Sequence, residues 1–317
     1  MNIERVAVIG TGQMGPGIAA VIALAGCDVT LIGEKSEWAD DGVNRACAAM
    51  DWLQQNDLTT RDTVARAKRH VRGTTDLDAS VRDVQLVVEA ISEDLALKQD
   101  LFQRLDRLTP RNVILATNTS GLSVTAIGER ARHRDRIATT HFWNPPHLVP
   151  LVEVVMSPAT SEQTAQTLLE FLQHIGKQPV LVRKDLPGQL ANRILQAMIR
   201  EATNLVQEGV ASPEDVDRAI KNGLGIRLPV WGILEHIDAV GLDMCLTIQN
   251  SVLPALNNEP HAVQLFADKV RQGDLGVKTG KGFYDWSTKN IDDLKKLRDA
   301  FIVQVIHFRT HHARGGG

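Results

Sequence analysis

Three polar side chains stand out near the middle of this 317-residue chain. Glu153 lies within Leu151-Val152-Glu153-Val154-Val155, and His141 precedes it by 12 residues in His141-Phe142-Trp143-Asn144-Pro145-Pro146. Ser120 comes 21 residues before His141, in Asn118-Thr119-Ser120-Gly121. An ionisable glutamate among such apolar neighbours is costly unless a partner compensates it. His141 is the natural partner if Pro145, Pro146 and Pro150 turn the chain back. A carboxylate beside an imidazole orients the ring and stabilises its protonated form, which is what a general base needs when it takes a proton from an alcohol.

Hydride leaving the same carbon requires an acceptor, and the N-terminus carries a place for one. Val6-Ala7-Val8-Ile9-Gly10-Thr11-Gly12-Gln13-Met14-Gly15 joins a short apolar strand to a glycine-spaced turn and a helix start, with Ile18, Ala19, Ile22 and Ala23 continuing at helical spacing. Gly10 permits the tight turn, Gly12 lets the backbone approach a pyrophosphate, and Gly15 lets the helix pack closely on the strand. The anion then rests on unpaired N–H groups at the positive end of the helix. Pro16 is compatible with a helix opening near Gly12, because a first-turn proline removes an N–H that has no intrahelical partner. A nicotinamide site usually adds an acid about 20 residues past the glycines, at the end of the second strand. Here that position falls on Gly33, with Glu34 one place later and Lys35 beside it. Glu34 on the ribose diol predicts NAD; Lys35 meeting a 2′-phosphate is the NADP alternative, and solvated loop charges are the third reading.

The elements that must position these groups alternate. Strands are expected at Asp28–Ile32, Val84–Val88, Asn112–Ala116, Arg136–Ala138, Leu151–Val155 and Pro179–Val182, and Val43, Ala46, Cys47, Met50 and Leu53 recur at helical spacing. Such repeated units indicate an α/β fold with a mostly parallel, doubly wound sheet. Strand signals almost vanish beyond Lys184-Asp185-Leu186-Pro187-Gly188, so residues 1–183 are expected to form the cofactor-binding domain and 184–317 an all-helical second domain. Leu190, Ile194, Leu195, Met198, Ala202 and Leu205 make one apolar helix face there. Ser212 reads as an N-cap with Pro213 behind it, Gly223 as that helix's end, and residues 311–317 as a frayed tail.

Composition narrows the class. The chain is 43% hydrophobic with a formal charge of −3 and scattered Lys and Arg, which gives no support for a nucleic-acid or anionic-membrane surface. Cys27, Cys47 and Cys245 lie far apart with no metal-ligand spacing, so neither a disulfide framework nor a metal site is expected, and a reducing cytoplasm is the simplest location. A first strand starting a few residues after Met1 leaves no room for a targeting peptide, and no apolar run approaches membrane-spanning length.

Taken together, the cofactor turn, the Asn-Thr-Ser element, the His-x-x-Asn-Pro element with Glu153 after it, and Pro187-Gly188-x-x-x-Asn192-Arg193 resemble the 3-hydroxyacyl-CoA dehydrogenase family in order and spacing over nearly the whole chain. The resemblance implies a Rossmann-type N-terminal domain, a helical substrate and dimerisation domain, NAD as cofactor, and oxidation of a short 3-hydroxyacyl substrate to the 3-keto product, as in fatty acid metabolism. It implies His141 as base, Glu153 as its partner, and Ser120 and Asn192 as hydrogen-bonding groups around the substrate. Gly10, Gly12, Gln13, Met14, Gly15, Glu34, Glu93, Lys98, Asn144 and Lys278 fall at or near cofactor positions.

Two segments depart from the thioester-binding members. Where those carry a lysine-rich helical hairpin with Ser and Lys contacts to CoA, this chain has Ser36-Glu37-Trp38-Ala39-Asp40-Asp41 and later Asp51 and Asp57, with Ala49 and Asn56 near the contact positions. An acidic, lysine-free hairpin is a poor seat for a multiply phosphorylated ligand. Gly223-Leu224-Gly225-Ile226-Arg227 is closer to branches that oxidise free hydroxy acids, including gulonate and carnitine dehydrogenases, and Arg227 suits a forked pair with a substrate carboxylate. Asn144-Pro145-Pro146-His147 is similar to a branch acting on a pyridine carboxylate. Thioester and free acid both stand as substrate classes. A non-catalytic, crystallin-like role is the competing class, and the joint presence of Ser120, His141, Glu153 and Asn192 argues against it.

Overall fold

β1 (Arg5–Ile9) is buried at every position but its first, the pattern of a central parallel strand covered on both faces. Around it the computed structural model, which describes residues 2–313, places β2 (Asp28–Ile32), β3 (Val71–Thr74), β4 (Leu86–Glu89), β5 (Ile114–Thr117), β6 (Ile137–Phe142), β7 (Leu151–Met156) and β8 (Gln178–Val182). The sheet order is β3-β2-β1-β4-β5-β6-β7-β8. Every neighbouring pair is parallel except β6 and β7, which are antiparallel. The order reverses between β1 and β4, and the crevice beyond the carboxyl ends of those strands is where such sheets bind ligands.

Helices α1 (Gly15–Leu24), α2 (Ser36–Gln55), α3 (Arg61–Ala67), α4 (Leu77–Ser80), α5 (Leu95–Leu108), α6 (Val124–Ile127) and α7 (Glu162–His174) complete the first compact unit, Met1–Ala191. Two apolar cores fill it: one includes Val6, Val8, Ile18, Ile22, Leu31 and Met50, the other Ala7, Ile9, Val87, Phe102 and Leu115. Residues 6–9 alternate between the two, as the period of a strand requires.

The second unit, which begins at Asn192, is helical over its described residues. Its elements are α8 (Ala191–Gln207, which opens at the junction), α9 (Pro213–Ala219), α10 (Ile233–Val240), α11 (Leu242–Val252), α12 (Gln264–Arg271) and α13 (Ile291–Ala313). The Ser212 hydroxyl caps α9 by accepting from the Asp215 N–H at 3.1 Å.

Several local expectations are corrected. α1 opens at Gly15, not near Gly12, because residues 11–14 form the turn itself. β6 extends through Phe142 and so carries His141 within the sheet. β3 has no apolar signature, since Arg72 and Gly73 occupy half of it; as an edge strand it is held by pairing with β2. Gly223 does not end a helix but lies in a wide turn, Ile220–Leu224, that continues α9. His311 and His312 belong to α13 rather than to a frayed tail, whose last residues, 314–317, lie outside the described part.

Candidate active site

The antiparallel β6–β7 ladder sets His141 directly opposite Glu153, with residues 143–150 making the connection. The imidazole Nδ1 is 2.7 Å from Glu153 Oε2. Glu153 is fully buried and His141 nearly so. The carboxylate is saturated: Oε2 also accepts from Trp143 Nε1 at 3.0 Å, while Oε1 accepts from the backbone N–H groups of Leu190 and Ala191 at 3.0 and 2.9 Å, where α8 begins. Burial by itself pushes the Glu153 pKa up. The hydrogen bonds from His141, Ala191, Trp143 and Leu190 outweigh that and hold it at about 2. Glu153 is thus a permanent carboxylate, Nδ1 of His141 donates to it, and Nε2 is left to meet a substrate proton.

A second network fixes the loop after β5. Asn118 Oδ1 accepts the Phe142 N–H at 2.8 Å, tying this loop to the strand of His141. Glu93 accepts from the Thr119 hydroxyl and from the N–H groups of Ser120 and Gly121 at 3.1 and 3.3 Å. Burial pushes the Glu93 pKa up, but Thr119, Lys98 and the two amides bring the net position below the ordinary value. Lys98 is itself sealed in, 2.5 Å from Glu89 and 3.5 Å from Glu93. Glu89 in turn accepts from the Thr117 hydroxyl at 2.6 Å and the Ile91 N–H at 2.8 Å. Glu93 and Lys98 therefore support the strand ends and the Ser120 loop from below. Ser120 and Asn144 are exposed at the surface of the unit.

The glycine turn opens on a groove of about 850 Å³ at the β1–β4 switch point, lined by residues 9–14, Gly33, Glu34, Trp38, Asp41, Arg45 and segments after β3 and β4. Gly10 has φ +110° and no room for a Cβ, which would lie 2.4 Å from the Ala90 carbonyl oxygen. At Gly12 the same atom would meet nothing within 4 Å, so this backbone faces open space where a phosphate can approach. The residues present fit a bound dinucleotide. Gly33 leaves no room for an acid, because a Cβ there would sit 2.9 Å from the Ala39 nitrogen; Glu34 lines the groove in its place. Lys35 stacks over Trp38, its Nζ 4.8 Å from the ring centre.

The other three sequence-predicted residues belong to the second unit. Asn192 is half-buried in the first turn of α8. Arg227 is exposed, its Nε donating to the Gly223 carbonyl at 3.0 Å. Lys278 is exposed in the loop between the paired residues Gly276 and Lys281. Sequence reasoning missed Glu89, Asn118, Trp143 and Arg45. Glu89 carries the same signal that revealed Glu153, an acid ending the apolar run Leu86-Val87-Val88. Among the described residues no group of His, Cys, Asp or Glu is placed to hold a metal, and no helix is long and apolar enough to cross a membrane.

Comparison with known proteins agrees with this geometry. Residues 5–186 match the description 3-hydroxyacyl-CoA dehydrogenase, NAD binding domain, and residues 188–286 match 3-hydroxyacyl-CoA dehydrogenase, C-terminal domain. The chain is 31% identical over 308 residues to the 5-formyl-3-hydroxy-2-methylpyridine 4-carboxylate 5-dehydrogenase of Mesorhizobium japonicum, covering 96% of this chain and 97% of the relative. It is 37% identical over 290 residues to the probable 3-hydroxybutyryl-CoA dehydrogenase of Bacillus subtilis, covering 91% and 99%. A crystal structure of a 5-formyl-3-hydroxy-2-methylpyridine 4-carboxylic acid 5-dehydrogenase superimposes with a TM-score of 0.88 at 30% identity, over 97% of this chain and 98% of that one. With both halves matched, the chain belongs to the 3-hydroxyacyl-CoA dehydrogenase family, NAD-dependent oxidoreductases acting on CH–OH groups.

Proposed function

We propose that this protein oxidises the secondary alcohol of a short 3-hydroxyacyl substrate to the 3-keto product, with His141 as general base and Glu153 as the group that orients it. The buried His141–Glu153 pair carries this reading. Nε2 of His141 takes the hydroxyl proton; the imidazolium so formed is stabilised by Glu153, which stays ionised and does not itself take the proton. Bound NAD supplies the acceptor for the hydride leaving the same carbon. Its pyrophosphate is assigned to the Gly10–Gly15 turn, with Gln13 and Met14, and its ribose diol to Glu34. Asn144, Glu93 and Lys278 are the remaining cofactor-side residues in this reading, while Lys98, buried against Glu89 and Glu93, acts through them rather than by touching the cofactor. Ser120 and Asn192 hydrogen-bond the substrate and its oxygen.

A free small hydroxy acid is the second reading for the acyl group. Similarity to the pyridine carboxylate dehydrogenase covers 96% of the chain and so runs beyond residue 286, where the match to the family's C-terminal domain stops, into α13. Two cations of the hairpin region are engaged by acids: Lys68 is held by Asp51 at 2.6 Å and Arg45 by Asp41 at 2.7 Å. In this reading Arg227 grips the substrate carboxylate.

NADH formation separates the two when 3-hydroxybutyryl-CoA, free 3-hydroxybutyrate, gulonate, carnitine and a hydroxymethylpyridine carboxylate are offered in parallel. Preference for the thioester supports the first reading and demotes Arg227; preference for a free acid supports the second. No turnover of any of them would remove both.

The same reading includes a homodimer formed through the helical unit, where Leu234, Leu242, Leu246 and Leu297 are each 60% exposed or more in the single chain. The free thiols of Cys27, Cys47 and Cys245 fit a reducing compartment such as the cytoplasm.

A further inference from the structure

The turn assigned to the pyrophosphate is braced by a groove-lining residue that no sequence motif marks. Arg45, on α2, lies 34 residues from Thr11, yet its guanidinium donates to the Thr11 carbonyl and, at 3.0 Å, to the Gly12 carbonyl. Nε of the same side chain donates to Asp41 one turn earlier at 2.7 Å, which fixes the plane of the fork. α2 reaches the turn because of Gly42: a Cβ there would fall 2.7 Å from the Leu31 side chain and 3.0 Å from that of Thr11.

The consequence follows from peptide geometry. In a planar trans peptide the carbonyl and the next residue's N–H point in opposite directions. Holding the Thr11 and Gly12 carbonyls against Arg45 therefore aims the N–H groups of Gly12 and Gln13 the other way. Among the described residues neither N–H has a protein acceptor. The Thr11–Gly12 and Gly12–Gln13 peptides precede α1 and accept none of its hydrogen bonds, which begin at the Met14 carbonyl. A planar, five-donor guanidinium can hold two adjacent carbonyls at once; a lysine ammonium is a point charge on a flexible stem.

We propose that Arg45 is a positioning residue for the cofactor: by clamping two successive carbonyls of the glycine turn, it preorganises the Gly12 and Gln13 amides for a dinucleotide pyrophosphate.

The test is ligand binding to the full-length protein, measured calorimetrically for NAD, ADP-ribose and adenosine with the wild type, Arg45→Met and Arg45→Lys. Arg45→Met is expected to weaken NAD and ADP-ribose about tenfold, as loss of two charge-assisted hydrogen bonds implies, and to leave adenosine, which has no phosphate, unchanged. Arg45→Lys is expected to fall between the two. In turnover assays the loss should appear in KM for NAD, with kcat at saturating NAD and KM for the second substrate little altered. Wild-type affinity of Arg45→Met for ADP-ribose would overturn the proposal, as would equal weakening of adenosine. Full restoration by Arg45→Lys would also overturn it, since charge alone would then suffice. Binding is read without turnover, so the result stands apart from whether His141 is the base.

Discussion

His141 and Glu153 are directly opposed residues of the antiparallel β6–β7 pair, so the 2.7 Å contact between their side chains is set by strand register. Side chains facing each other across such a ladder are adjacent by construction, and both sit on the same face of the sheet. A one-residue slip would send one of them to the opposite face. Packing of Val152 and Val154 on the other face, both fully buried, guards against that slip. The pair is therefore held by two paired strands rather than by a loop.

Glu153→Gln tests whether the carboxylate sets the imidazole tautomer. A carboxamide offers one acceptor oxygen where the carboxylate offers two, and four donors now converge on Glu153. If its oxygen stays with Leu190 and Ala191, its NH₂ faces His141 and drives the ring proton to Nε2, the atom that must accept. The expected loss in kcat is about 10²–10³-fold with KM for NAD unchanged, and His141→Ala should lose about 10²–10⁴-fold. Near-normal turnover of either variant, with cofactor binding intact, would remove the assigned role.

Acid stability should report the same carboxylate. Its folded pKa, about 2, lies below the ordinary 4.5, so its contribution is complete above pH 4.5 and is lost as pH falls toward 2. The shift corresponds to about 3 kcal/mol. In urea unfolding, the stability advantage of the wild type over Glu153→Gln is expected to shrink steadily from pH 5 to pH 3. An advantage that stays constant over that range would contradict the assignment.

Lys177 should act in the opposite pH region. Burial brings its pKa down from 10.5 to about 7, and its Nζ donates to the Pro146 and Val149 carbonyls at 2.6 and 2.9 Å. Between those values the unfolded chain binds more protons than the folded one, so this group makes stability rise with pH from about 7 to 10.5. Lys177→Met should lack that rise when unfolding midpoints are compared at pH 7, 8 and 9. It should also loosen the loop that follows His141, because one buried and one part-buried carbonyl lose their donor.

The apolar surface of the helical unit predicts the assembly. Leu234 and Leu246, 73% and 60% exposed, lie on α10 and α11. Sedimentation velocity is expected to give a dimer for the wild type and a monomer for Leu234→Glu/Leu246→Glu. Wild-type protein that sediments as a monomer at micromolar concentration would refute a dimer built on this surface.

How much of this was legible in the linear chain depends on sequence separation. The glycine turn, the alternation of strands and helices, the loss of strand signal after Gly188 and the capped start of α9 follow from local chemistry: backbone freedom, periodicity and hydroxyl caps act within a few residues. Glu153 was visible because an acid in an apolar strand demands a partner, and the prolines between it and His141 supplied the turn. The tertiary structure alone decided which strands are neighbours, and with that the register that sets His141 against Glu153. It alone brought Arg45 to Thr11, Lys177 to Pro146 and Lys98 to Glu89, and closed the expected acid position at Gly33 by laying α2 against it. Those contacts arise between side chains and backbone groups far apart along the chain or on different elements, and neither residue type nor periodicity encodes which distant carbonyl a buried or clamped cation will find.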